Sequence, residues 1–149
     1  MKLILRESDI PFFTDEDLKR YVEIYGTYEY ALYKCLIFKS QNNQMQLADR
    51  IEIAVGYVSR ASLEELDSLV EKNNIKNICL NIGMYFIEGM PEGSYHTAIR
   101  INKKWQDMGI GEIRMVKSFK YHGKLYAFYK DNKPFSAIIG SANLGVIKL

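Results

Sequence analysis

The chain has 149 residues, of which 48% are apolar, 26% charged and 13% aromatic, with a formal net charge of +2. These proportions predict one globular domain and exclude intrinsic disorder, a collagen-like repeat and a disulfide scaffold. No stretch approaches the roughly 18 apolar residues of a membrane span, and the opening Met1-Lys2-Leu3-Ile4-Leu5-Arg6-Glu7 turns charged before a signal-peptide core can form, so an unprocessed cytoplasmic protein without a membrane partner is expected.

Residues 2–6 read as a short first strand. Thr14 then caps a helix whose first turn is acidic (Asp15, Glu16, Asp17) and whose apolar positions Leu18, Tyr21, Val22 and Tyr25 follow helical spacing up to Gly26. A second helical run, 28–38, is apolar on most sides. The Tyr-rich stretch Tyr21, Tyr25, Tyr28, Tyr30 and Tyr33 is read as core and interface. Residues 50–58, Arg-Ile-Glu-Ile-Ala-Val-Gly-Tyr-Val, are β-branched and nearly unbroken, as in a central strand covered on both faces. Ser62 is predicted to cap the next helix through Lys72, with Glu65 as its capping-box partner. Residues 75–82 form another buried strand, 83–93 a long loop, and 94–108 a helix ended by Gly109 and Gly111. Strands over 112–116, 121–129 and 135–139 follow, the last two as an antiparallel hairpin around Asp131-Asn132-Lys133-Pro134. Strands alternating with helices make this an α/β chain.

Charge is unevenly spread. From Arg100 onward ten Lys or Arg face three acidic residues (Asp107, Glu112, Asp131), leaving that third at about +7 and the rest acidic. A positive face suits a polyanion. Cys35 and Cys79 are 44 residues apart with no Cys/His neighbour at ligand spacing, which argues against zinc and for small buried hydrophobes in a reducing compartment.

The informative residues are in the last thirty. His122-Gly123-Lys124 lies in strand-like sequence, so His122 and Lys124 should share a face. Fifteen residues separate Lys124 from Gly140-Ser141-Ala142-Asn143. A hairpin of that length would set Ser141 and Asn143 beside His122 and Lys124, bringing together an imidazole, an ammonium, a hydroxyl and a carboxamide. That set suits a phosphoryl group: Lys124 and Asn143 donate to its oxygens, Ser141 orients it, and His122 attacks phosphorus or moves a proton. Taken singly, Gly140 is a turn residue and Ser141 and Asn143 are loop caps. His96 has no such company and is placed on a helix surface or loop.

His122-x-Lys124 followed by Gly140-Ser141-x-Asn143 resembles the HxK…GSxN signature of the phospholipase D superfamily. Residues 51–59 resemble its central strand. The surroundings Tyr121-His122-Gly123-Lys124-Leu125-Tyr126 and Gly140-Ser141-Ala142-Asn143-Leu144 are most similar to the nuclease domain of NgoFVII/BfiI-type restriction endonucleases. The resemblance implies a phospholipase D-like fold, a mixed sheet flanked by helices on both faces, with 1–149 as one nuclease domain. Catalytic roles fall to His122, Lys124, Ser141 and Asn143, and substrate binding to Gly140, Tyr57 and Ser59. Two departures stand out. The Asp common five residues after the Lys is Tyr129 here. The chain also stops six residues after Asn143, short of a further acidic residue that members usually carry, which makes it an expected N-terminal fragment of a longer enzyme.

The implied chemistry is metal-independent cleavage of DNA through a phosphohistidine on His122, without a cofactor. One motif supplies one His where two are needed, so a homodimer with its active site on the two-fold is implied. Alternatives are a phospholipid-cleaving or phosphatidyl-transferring enzyme of the same superfamily, and a non-catalytic phosphate-binding dimerisation module.

Overall fold

The computed structural model describes residues 43–140. The expected strand 2–6, the helical runs 14–26 and 28–38, Cys35, Ser141 and Asn143 lie outside the described residues. A five-stranded mixed sheet organises the fold, in the order β3-β2-β1-β4-β5. Its strands are β1 (Arg50–Val55), β2 (Asn77–Ile82), β3 (Gly111–Met115), β4 (Leu125–Lys130) and β5 (Lys133–Ile139). β1, β2 and β3 run parallel, whereas β4 pairs antiparallel with both β1 and β5. The helices are α1 (Arg60–Lys72), the single turn α2 (Tyr85–Glu88) and α3 (Glu92–Asp107).

Alternation explains which sheet face carries the core. Ile51, Ile53 and Val55 of β1, Ile78, Leu80 and Ile82 of β2, and Tyr126 and Phe128 of β4 are all buried and point to one side. α1 answers with Leu63, Leu66 and Val70, and α3 with Ala98, Ile101 and Trp105, each set at spacing i, i+3, i+7. Residues 43–47 are helical, and Met45 and Ala48 join the same core. β1 is not covered equally on both faces, as the sequence predicts, because its other face carries charge. There Glu52 is ion-paired to Arg50 and accepts a 3.0 Å bond from the Tyr129 hydroxyl, while the Arg50 guanidinium lies 4.7 Å from the Tyr129 ring centre. Cys79 sits on that face too, half-buried rather than enclosed.

A buried carboxylate joins the two long helices. Asp67 of α1 accepts from the Trp105 indole at 2.9 Å and from the Lys104 ammonium at 2.7 Å, and Lys104 also pairs with Glu71. Asp67→Ala leaves the indole N–H of a fully buried Trp105 unsatisfied, so the expected loss is about 2 kcal/mol. Asp67→Asn, which keeps an acceptor, should recover part of it. Urea unfolding measures both, and an unchanged midpoint in Asp67→Ala would contradict the role.

Several element ends differ from the sequence reading. α1 is capped by Ser59, not Ser62: the Ser59 hydroxyl accepts from the Ser62 backbone N–H at 3.1 Å, and Ser62 itself is the box partner in place of Glu65. Residues 83–93 are not all loop, since α2 forms within them. The hairpin between β4 and β5 turns on Asp131 and Asn132, both at positive φ (49° and 61°). That is the backbone a two-residue hairpin turn demands, and short polar side chains tolerate it. No helix among the described residues is long and apolar enough to cross a membrane.

Candidate active site

The topology brings the motif segments to one edge. β4 runs against β1, so its first residue, Leu125, pairs with Ala54 near the C-terminal end of β1; the last residue of β5, Ile139, pairs with Leu125 in turn. The residues before β4 and after β5 therefore meet outside the C-terminal ends of the parallel strands, where α/β sheets bind ligands. The Gly140 N–H donates to the Lys124 carbonyl at 3.2 Å, which ties the start of the second motif to the first.

Residues 116–124 cross over the ends of β2 and β1. Val116 N–H donates to the Ile82 carbonyl at 2.9 Å, and Tyr121 N–H to the Gly83 carbonyl at 3.1 Å. Glycine is required beneath this crossing. A Cβ on Gly83 would lie 2.1 Å from the Tyr121 carbonyl oxygen, and one on Gly56 would lie 2.8 Å from Cδ2 of His122. The path also explains why His122 and Lys124 precede β4 instead of lying in it: the chain rides over Gly83 and Gly56 before it can join the ladder.

Consequently the two side chains do not share a strand face. His122 is exposed above Gly56, whereas Lys124 is only 6% exposed. They remain adjacent, because the Lys124 ammonium donates to the carbonyl of His122 itself at 2.5 Å. Burial pushes the ammonium's pKa down, since low dielectric disfavours its charge.

The imidazole's neighbours begin with Tyr57, named from the sequence, and extend to two residues that were not. The Tyr57 ring stands 5.6 Å from that of His122, centre to centre, with planes at 77°. Tyr57 in turn packs edge-on against Tyr85 at 5.3 Å, and its hydroxyl donates to Glu88 Oε2 at 2.5 Å. The Tyr85 hydroxyl donates to the Val58 carbonyl at 2.6 Å and accepts from the Val58 N–H at 3.3 Å. Tyr85 and Glu88, three apart on α2, are thus site residues hidden in a segment read as loop; the only local signal was the pair of glycines, 83 and 89, bracketing one helical turn. Of the other expected residues, Ser59 spends its hydroxyl on the α1 cap. His96 is exposed on α3, 3.6 Å from Glu92. Among the described residues no group of three or more His, Cys, Asp or Glu is placed to hold a metal ion.

Lys103, Lys104, Arg114 and Lys130 have acidic partners in Asp107, Asp67, Glu112 and Asp49. Lys117 and Lys120, on the segment entering the site, have none among the described residues; Lys117 instead lies 5.9 Å from the ring centre of the exposed Phe86.

Residues 31–148 match the family model described as the NgoFVII restriction endonuclease N-terminal PLD domain. No curated relative matches the chain. The matched stretch includes the whole described sheet together with His122, Lys124 and the Gly140-Ser141-Ala142-Asn143 segment. With an α/β fold of the phospholipase D type and a family match over most of its length, the chain belongs to the NgoFVII restriction endonuclease N-terminal PLD domain family.

Proposed function

We propose that this domain cleaves phosphodiester bonds in DNA without a divalent metal, with His122 as nucleophile. The observation that carries the reading is an exposed imidazole joined through its own backbone to a buried ammonium, at the edge of the sheet where the second motif begins. A nitrogen of His122 attacks phosphorus; a P–N bond forms and the bond to the leaving oxygen breaks. A second imidazole gives that oxygen its proton. It then takes one from a water that attacks phosphorus, and the P–N bond breaks to restore His122. Lys124 supplies positive charge to the phosphoryl oxygens from within the chain, and Asn143 and Ser141 are assigned the remaining donors.

The second imidazole is assigned to His122 of a second copy, in a homodimer built around the site. The chain has only two histidines, and His96 is engaged with Glu92 on the exposed side of α3. DNA as substrate is supported by the family match and by Lys117 and Lys120, which lead into the site without an acidic partner among the described residues. Incubating the protein with supercoiled plasmid in excess EDTA tests the reading. Nicking at the rate seen without chelator is the expected result, because the charge that a metal supplies elsewhere is here an ammonium. Strict dependence on Mg²⁺ would overturn the phosphohistidine route. Cleavage of phosphatidylcholine vesicles with plasmid left intact would move the substrate class to lipid.

A further inference from the structure

We propose that Glu88 and Tyr57 are a positioning pair for the His122 imidazole, so that a carboxylate on α2 acts on the reacting ring through a tyrosine. The inference rests on His122 being the reacting group. It assigns Tyr57 to holding the ring rather than to contacting substrate.

Tyr57 is fixed from two sides. Its ring meets Tyr85 at 5.3 Å with planes at 74°, and Tyr85 is pinned by two hydrogen bonds to the backbone of Val58. Its hydroxyl is fixed by Glu88 at 2.5 Å, within the range of a charge-assisted O–H···O⁻ bond. The same bond holds the phenol's pKa above its ordinary value, so Tyr57 stays a donor to Glu88 at neutral pH. Glu88 closes α2 and is followed at once by Gly89 at φ 81°, which ends the helical turn there.

His122 then receives a wall and a floor. The wall is the Tyr57 ring, nearly perpendicular at 5.6 Å. The floor is Gly56, where an added Cβ would lie 2.8 Å from Cδ2 and displace the ring. An exposed imidazole otherwise turns about two torsions, and a nucleophile loses rate whenever its lone pair leaves the line of attack. Glu88 reaches the imidazole through Tyr57: its Oε2 accepts from the Tyr57 hydroxyl, and the tyrosine ring lies against the imidazole. Glu88 and His122 are both exposed, whereas Tyr57 is half-buried and packs against the core.

The test combines cleavage with nuclear magnetic resonance of the histidine ring C–H groups, where His96 serves as an internal reference. Tyr57→Leu should slow single-turnover plasmid cleavage roughly 10- to 100-fold at unchanged DNA affinity, the scale of a misplaced reacting group. It should also shift the His122 signals while leaving those of His96 in place. Glu88→Ala should slow cleavage roughly 3- to 10-fold, the worth of one exposed hydrogen bond, and shift the same signals less. Glu88→Gln, which keeps a carbonyl acceptor, should restore most of both. Glu88 is exposed, so its variants fold even where Tyr57→Leu does not. Unmoved His122 signals in Glu88→Ala and Tyr57→Leu overturn the proposal, and a rate loss without them returns Tyr57 to the substrate surface. If His122→Ala cleaves DNA as well as the native chain, the catalytic reading of His122 fails, and the pair's hold on the ring is then decided by the chemical shifts alone.

Discussion

Replacing His122 with alanine is expected to abolish DNA cleavage and leave the domain folded. The imidazole is exposed, and its ring contact is with Tyr57 at the surface, so removing it takes nothing from the core beneath the sheet. Exposed substitutions of this kind change stability by no more than about 0.5 kcal/mol. Cleavage, by contrast, loses the atom that bonds to phosphorus, and Met84, the other side chain close to Gly56, offers only a thioether in its place. Circular dichroism and a plasmid-nicking assay decide the matter, and native activity in the variant would remove the assignment. The same variant reads out the assembly. If each site contains His122 from two copies, an equal mixture of freely exchanging native and His122→Ala subunits keeps about a quarter of the activity, against about a half for independent sites.

Removing the charge at Lys124 is the second large effect. Lys124→Met keeps most of the side chain's volume and fills the same buried position, so folding should survive while cleavage falls roughly 10²- to 10³-fold, as for loss of one oxyanion donor. Lys124→Ala should match it in activity and be less stable, because it also empties space in a buried site. Equal cleavage by Lys124→Met and the native chain would show that the ammonium only packs. The lowered pKa adds a pH signature. The protonated form is the active one, and burial brings its loss to lower pH than for an exposed lysine. Activity should therefore decline on the alkaline side before the ordinary lysine range, and that limb should be missing from the residual activity of Lys124→Met.

Local pattern was enough for much of this protein. Ile51, Ile53 and Val55 alternate because a strand does, and Leu63, Leu66 and Val70 recur as a helix requires, so β1 and α1 can be read from neighbours in the chain. The two motifs also carried the family resemblance, and the family match over residues 31–148 agrees with it. What the pattern could not contain was where each ladder stops. The β-rich run 50–58 continues to Val58 in composition, yet β1 ends at Val55, because the chain over Gly56 and Gly83 is crossed by residues 116–124, more than thirty positions away. That crossing also moves His122 and Lys124 out of β4 and sends one side chain to solvent and the other inward.

The pairs that organise the site and core have the same character. Tyr57 and Glu88 are 31 residues apart, and Asp67 and Trp105 are 38 apart. Nothing in the spacing of either pair marks it, because neither lies within one element's period. They meet only because the parallel crossover lays α1 and α3 side by side on one face of the sheet and leaves α2 at the end of β2. Periodicity along a chain reports which face is apolar. Which polar atoms find one another across elements is settled by the approach of whole strands and helices, and so belongs to the tertiary structure.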